Sequence, residues 1–187
     1  RENSHTIAGI VSSTSTPVTR RMMEALPELE IVSQFAVGVD NIDLQAAKEH
    51  GVFVTNTPDI LTADTADTAV ALLMCVSRRI CEADMYVRLG KWESAHFGLG
   101  TSLAGKKAGI IGLGRIGAAI AVRLKAFDMD VAYYGRREKE AAPYAYFSDL
   151  EAMAEHVDYL VVSCPGGDDT KGLVNLRILE VLGPKGY

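Results

Sequence analysis

The chain has 187 residues, of which 48% are hydrophobic and 23% charged, a composition typical of a globular protein with a sizeable core and not of a disordered one. Its net charge of -5 and its pI near 5.4 argue against a nucleic-acid partner or an anionic membrane surface. The three cysteines form no C-x-x-C pair. We therefore expect no disulfide framework, no metal site and a reduced, cytoplasmic compartment.

Short apolar runs alternate with amphipathic segments along the chain. The strand candidates are TIAGIV, EIVSQF, GVFVTN, KAGIIG, DVAYY and DYLVVSC. Each is followed by a helix candidate. A capping residue, a glycine or a proline marks the ends of four of these helices. They run from Thr16 to before Pro27, over Ile42–His50, from a capping box at Ser148 and Glu151, and over Asn175–Gly183. This alternation predicts an α/β fold with parallel sheets covered by helices.

One predicted helix is much longer than the others. Its apolar residues recur at helical spacing over about residues 63–88, which is typical of a connector between two sheets. A glycine-rich segment follows it and places a domain boundary near Thr101. We therefore predict a partial substrate-binding domain over residues 1–100 and a partial NAD(P)-binding domain over residues 101–187.

The stretch GIIGLGRIG predicts a dinucleotide site. Gly112 permits a tight turn, Gly114 lets the backbone approach a pyrophosphate, and Gly117 lets the following helix pack closely on the strand. Apolar residues repeat at helical spacing directly afterwards, which is the context that makes the motif specific. The phosphates are expected at the N-terminus of that helix.

The position that selects the cofactor lies about 20 residues beyond the first glycine of such motifs. There the chain reads AYYGRR, so Gly135, Arg136 and Arg137 stand where an acid would bind the ribose hydroxyls of NAD. Two guanidinium groups suit a 2'-phosphate, so the sequence predicts NADP(H) in preference to NAD(H). The alternative interpretation is a solvated charged loop.

Four stretches occur together: AVGVDNIDL, GVFVTNTPDILTADTADTAVALLM, LAGKKAGIIGLGRIG and VVSCPGGDDTKGLVN. In this order and spacing the chain resembles the D-isomer-specific 2-hydroxyacid dehydrogenases, and among them the NADP-preferring glyoxylate, hydroxypyruvate and hydroxyphenylpyruvate reductases. The resemblance implies two doubly wound parallel-sheet domains, flavodoxin-like for the substrate and Rossmann for the cofactor, both incomplete in this chain. It also implies reduction of a 2-oxo acid to the D-2-hydroxy acid.

The matching motifs imply site residues. Val37 and Gly38 match the loop whose backbone N–H groups bind the substrate carboxylate, with an ordinary strand-end turn as the alternative. The cofactor residues implied by the match form the phosphate-side turn and the strand end beneath the cofactor: Gly112, Leu113, Gly114, Arg115, Ile116, Gly117, Cys164 and Pro165.

Reduction of a 2-oxo acid also needs a proton donor. In the family an Arg, a Glu and a His polarise the substrate and transfer the proton, and the resemblance places all three beyond Tyr187. His5, His50, His96 and His156 do not match that role, so we expect no catalytic residue in this chain and a homodimer in the complete protein. Two alternatives stay open: a non-catalytic, dinucleotide-sensing regulatory relative, and an NAD-linked D-2-hydroxyacid dehydrogenase.

Overall fold

The computed structural model describes residues 4–187. They form two compact units: one is the chain up to Leu61 together with Gly166–Asp169, and the other is Thr62–Pro165 together with Thr170–Tyr187. The connector segment thus belongs to the same compact unit as the glycine motif, whereas the sequence places the boundary near Thr101. The assignment of the two functional domains stays a prediction.

The first unit is built on a sheet of three parallel strands, β1 (Gly9–Ser12), β2 (Ile31–Gln34) and β3 (Phe53–Thr55), in that order. Helices α1 (Arg20–Glu24) and α2 (Leu44–Glu49) connect them. Its core consists of buried aliphatic side chains from these helices, from β2 and from the flanking loops: Val18, Met23, Leu29, Val32, Ile42, Ala46, Ala47 and Val52.

The second unit contains four parallel strands, β4 (Lys107–Ile111), β5 (Asp130–Tyr134), β6 (Ala145–Phe147) and β7 (Tyr159–Val162). Their order in the sheet is β6-β5-β4-β7. The chain leaves β4 in one direction to form β5 and returns on its other side to form β7. This reversal creates a crevice at the carboxyl end of β4, where α/β proteins bind their ligands.

Helices cover both faces of the second sheet: α3 (Thr62–Arg78), α5 (Arg115–Ala126), α6 (Leu150–His156) and α7 (Leu176–Leu182). Helix α4 (Ile80–Arg88) follows α3 and has no buried residue. Alternate side chains of β4 are buried on opposite faces. Ile110 lies in a cluster with residues of α3 and α5, and Ile111 in a cluster with residues of α6 and α7. The predicted α/β class with parallel sheets is confirmed. Among the described residues, no helix has the length and apolar character that crossing a bilayer requires.

The connector differs from its prediction because the structure divides it into α3 and α4 at Arg79. This residue has a left-handed backbone with φ 54°. Its guanidinium donates to the Glu82 carboxylate and lies 4.6 Å from the centroid of the Phe97 ring. A single left-handed residue barely alters the apolar spacing, so the sequence pattern continues through the break.

Three further local features differ from the sequence pattern. Helix α1 begins at Arg20 with Thr19 as its N-cap residue, and not at Thr16. Strand β6 was not predicted, since it has three residues, lies at the edge of the sheet and contains no long apolar run. Helix α6 is capped by Asp149, whose carboxylate accepts from the N–H of Glu151 at 3.0 Å, and not by Ser148. Asn175 caps α7 as predicted, with its side-chain oxygen accepting from the N–H of Ile178 at 3.1 Å.

Candidate functional site

The turn between β4 and α5 is the centre of the candidate cofactor site. Gly112 has φ 93°, a conformation that strongly favours glycine. A Cβ on Gly112 would lie 2.8 Å from the Cα of Cys164, and a Cβ on Gly117 would lie 2.2 Å from the carbonyl oxygen of Gly112. The local packing of the protein therefore requires glycine at both positions.

Gly114 is glycine for a different physical reason. It precedes α5 with an extended backbone, and a Cβ added to it would meet no atom within 4 Å. No side chain caps this helix through its N-cap residue. The N–H groups and the dipole of a helix N-terminus favour an anion, so the open space at Gly114 fits a pyrophosphate that approaches the backbone closely.

Ser163, at the end of β7, holds the glycine turn from the neighbouring strand. Its hydroxyl donates to the carbonyl oxygen of Gly112 at 2.7 Å, and its N–H donates to the carbonyl of Ile111 at 2.9 Å. Cys164 and Pro165 follow directly, so this predicted strand end lies beside the turn. Ser163 was not predicted from the sequence. The available signal was a hydroxyl residue immediately before the Cys-Pro pair, at the carboxyl end of a parallel strand.

Arg136 and Arg137 follow the carboxyl end of β5. The carbonyl of Tyr134 accepts from the N–H of Gly112 at 2.9 Å, so the loop that begins at Gly135 starts beside the glycine turn. Both arginine side chains are exposed, and neither is ion-paired to a carboxylate within residues 4–187. The sheet thus gathers the three predicted cofactor segments at the carboxyl ends of β4, β5 and β7.

The candidate substrate loop lies in the first unit, directly after β2. Its three carbonyl groups all accept hydrogen bonds. The carbonyl of residue 36 accepts from the N–H of Thr57 at 3.0 Å, that of residue 37 from the side-chain amide of Asn56 at 2.8 Å, and that of residue 38 from the side-chain amide of Gln34 at 3.1 Å. Within the part of the chain that the structure describes, nothing accepts from the N–H groups of Val37 or Gly38. These two donors are therefore available to an anion.

A buried polar network supports this loop. Gln34 is 1% exposed, accepts from the Ser12 hydroxyl at 2.5 Å and donates to the side-chain oxygen of Asn41 at 2.8 Å. Asn41 in turn donates to the carbonyls of Ser13 and Thr16. Neither this network nor the contact made by Asn56 was predicted from the sequence. The only local signal was a polar residue near the end of each strand, Gln34 in EIVSQF and Asn56 directly after GVFVT.

The four histidines are all exposed. His50 follows the last residue of α2, and His156 ends α6 with its ring centroid 5.3 Å from that of Phe147. His156 also lines a cavity with Lys107 and Asp130, the first residues of β4 and β5, at the opposite end of the sheet from the glycine turn. Residues 4–187 contain no cluster of three or more His, Cys, Asp or Glu side chains that could hold a metal ion.

Asp158 has a shifted pKa, but it lies at the amino end of β7. Partial burial alone would raise the pKa of this carboxyl group. Hydrogen bonds from the N–H of Lys107 at 2.9 Å and from the ammonium group of Lys106 at 3.1 Å outweigh that effect, so the pKa is lower than its ordinary value. This group stabilises the fold away from the candidate cofactor site.

A parallel sheet that reverses at β4, with a glycine turn and a helix N-terminus at the point of reversal, defines a dinucleotide-binding α/β protein. The NAD-binding domain of the D-isomer specific 2-hydroxyacid dehydrogenases matches residues 70–187. The chain belongs to this family, and nicotinamide dinucleotides are confirmed as its cofactor class.

Individual relatives agree with this assignment. The chain is 46% identical over 180 residues to hydroxyphenylpyruvate reductase of Plectranthus scutellarioides, covering 96% of this chain and 58% of that protein. It is 46% identical over 182 residues to glyoxylate/hydroxypyruvate reductase A of Arabidopsis thaliana, covering 97% of this chain and 58% of the relative.

A solved structure is also similar. It is an NADPH-dependent glyoxylate/hydroxypyruvate reductase from Sinorhizobium meliloti in complex with NADP and malonate, with a TM-score of 0.93 and 42% identity over 100% of this chain and 58% of that one. The chain therefore spans about 58% of the length of each of these three relatives.

Proposed function

We propose that the protein containing this chain reduces a 2-oxo acid to the D-2-hydroxy acid with NADPH. The proposal rests on the carboxyl ends of β4 and β5, where the open glycine turn and the loop with the two exposed arginines lie side by side. The bound dinucleotide supplies the hydride. The names of the relatives indicate glyoxylate, hydroxypyruvate or hydroxyphenylpyruvate as the type of substrate.

The preference for NADPH is attributed to Arg136 and Arg137. Neither guanidinium forms an ion pair within residues 4–187, so binding a 2'-phosphate breaks no ion pair there. A hydrogen bond to a charged group contributes about 1.5–3 kcal/mol, or roughly tenfold to a hundredfold in affinity. The bound NADP in the Sinorhizobium meliloti structure supports this preference.

The substrate carboxylate is assigned to the loop at Val37 and Gly38. Its carbonyls are already engaged by Gln34 and Asn56, so its two N–H groups remain for the anion. The carboxylate is common to all three substrate types, and the loop therefore binds the part of the substrate that does not vary. Polarisation of the carbonyl and proton transfer are assigned to residues outside this chain.

The test is a titration of the enzyme containing this chain with NADPH and with NADH, together with turnover of glyoxylate and hydroxypyruvate. The double variant Arg136→Ser/Arg137→Ser should lose about tenfold to a hundredfold in NADPH affinity and retain its NADH affinity. Arg21→Ser/Arg78→Ser removes the same charge elsewhere, from two arginines that are also exposed and without an ion pair within residues 4–187, and serves as the control. Equal affinity of the unmodified enzyme for both cofactors, or an unaltered ratio in the arginine variant, would contradict the proposal.

The same experiment separates the alternatives. Binding of NADPH without turnover of any 2-oxo acid identifies a dinucleotide-sensing relative, because such a protein needs the glycine turn but no proton donor. Turnover with NADH at least as efficient as with NADPH identifies an NAD-linked dehydrogenase.

We also propose that the complete protein is a cytoplasmic homodimer. We assign the dimer contact to the apolar surface of α4 and the segment after it, which would bind a second copy of the protein. The exposed fractions of four large apolar side chains on this surface lie between 56% and 97%: Met85, Leu89, Trp92 and Leu99. The small number of cysteines and their lack of a C-x-x-C pair favour a reduced compartment. Sedimentation of Trp92→Glu should give a monomer, and a monomeric unmodified protein would contradict the assignment.

A further inference from the structure

Two tyrosine hydroxyls hold the loop that carries Arg136 and Arg137. The hydroxyl of Tyr146 donates to the carbonyl oxygen of Gly135 at 3.1 Å, immediately before the arginines. The hydroxyl of Tyr133 accepts from the N–H of Lys139 at 2.8 Å, two residues after them. The loop is therefore tied to the sheet on both sides of the guanidinium pair.

The register of the sheet places both hydroxyls. Tyr133 on β5 lies directly opposite Tyr146 on β6, and their ring centroids are 5.3 Å apart with an interplanar angle of 44°. Tyr133 is 1% exposed and Tyr146 is half-buried. Aromatic pairs across neighbouring strands stabilise each other, so each ring restricts the position of the other and of its hydroxyl.

We infer that Tyr133 and Tyr146 are positioning residues for cofactor selectivity, which they exert by ordering the loop of Arg136 and Arg137 for a 2'-phosphate. The inference rests on the proposed preference for NADPH. An unanchored loop has to lose conformational freedom when it binds, and an anchored loop has already lost it. NADH lacks the 2'-phosphate, so the ordering of the loop for that phosphate does not contribute to NADH affinity.

The test measures the dissociation constants of NADPH and NADH in the enzyme containing this chain. Tyr146→Phe and Tyr133→Phe each remove one hydroxyl and keep the ring packing. Since the net contribution of a neutral hydrogen bond corresponds to about a twofold to tenfold change in an equilibrium, each variant should weaken NADPH binding by about that factor and leave NADH binding unchanged.

Tyr86→Phe is the matched control. Its hydroxyl donates to the carbonyl of Ala95 at 2.8 Å, so the variant loses the same kind of hydrogen bond in a segment remote in sequence from the cofactor loop. The ratio of NADPH to NADH affinity should stay at its original value in this control. A loss of overall stability affects both cofactors alike, so only a change in the ratio reports on the loop.

A double-mutant cycle gives the decisive result. In the Arg136→Ser/Arg137→Ser background, Tyr146→Phe should have no further effect on NADPH affinity, because the groups it positions are absent. If the arginine change alters the ratio and the tyrosine changes do not, or if they weaken both cofactors equally, the inference is overturned while the proposed function stands. If the arginine change leaves the ratio unaltered, the proposed selection of NADPH fails and the inference fails with it.

Discussion

Gly117→Ala should destabilise the unit that contains the glycine turn, because the added methyl group meets backbone atoms that cannot rotate away. Its Cβ would lie 2.2 Å from the carbonyl oxygen of Gly112 and 2.7 Å from the hydroxyl of Ser163. Favourable carbon contacts lie near about 3.5–4.0 Å, so α5 and the turn have to separate by roughly 1 Å. Overpacking of this kind costs about 1–3 kcal/mol, and each kcal/mol lowers Tm by about 2–4 °C in a chain of this size.

Gly114→Ala should behave differently because its methyl group meets no protein atom within 4 Å. We expect its Tm without dinucleotide to fall by less than that of Gly117→Ala, since the only cost is that alanine is a poorer N-cap residue than glycine. The methyl group instead occupies space that a pyrophosphate needs. Loss of a hydrogen bond to that charged group predicts a fall of about tenfold to a hundredfold in affinity.

The assay is thermal unfolding of both variants with and without NADPH, combined with calorimetric titration of the cofactor. Gly117→Ala should lower the Tm mainly in the absence of cofactor, and Gly114→Ala should mainly lose the stabilisation that NADPH provides. If Gly114→Ala lowers the Tm of the free protein as much as Gly117→Ala does, or binds NADPH with unaltered affinity, the space beside Gly114 is not where the pyrophosphate binds.

Further outcomes are expected. Gly38→Val should raise the KM for the 2-oxo acid sharply and leave NADPH affinity nearly intact, and an unaltered KM in steady-state kinetics would rule the loop out. Asn56→Ala frees one carbonyl of that loop and should raise the same KM by about twofold to tenfold, with kcat nearly unchanged. The lowered pKa of Asp158 means that its contribution to stability is complete above the pKa of the unfolded state and is lost as the pH falls through that of the folded state. Denaturant unfolding between about pH 5 and pH 2 should therefore show a smaller loss of stability for Asp158→Asn than for the unmodified protein. The 187-residue chain made alone should not turn over any 2-oxo acid; soluble chain that reaches about a hundredth of the complete enzyme's rate would place the catalytic groups within these residues.

The features predicted correctly from the sequence are those that depend on residues close together in the chain. The turn at Gly112, the buried strand before it and the helix cap at Asn175 each depend on neighbours a few positions away, so local chemistry specifies them. The break at Arg79 involves a ring contact with Phe97, 18 positions away. A local apolar pattern contains no information about that contact.

The supports of the candidate sites were missed for the same reason. Ser163 contacts Gly112 from the end of the neighbouring strand β7, and Asn56 contacts the loop after β2 from the end of β3. Tyr146 acquires its role only because β6 pairs with β5 in the observed register. Such contacts become visible only when strand order and register are known, whereas the groups they support were recognisable from motifs.

The position of bound NADPH can be determined in a crystal structure of the enzyme containing this chain. We expect the pyrophosphate at the N-terminus of α5 beside Gly114, and the 2'-phosphate within hydrogen-bond distance of the guanidinium groups of Arg136 and Arg137. If the 2'-phosphate lies in solvent and both guanidinium groups are directed away from it, Arg136 and Arg137 do not select NADPH.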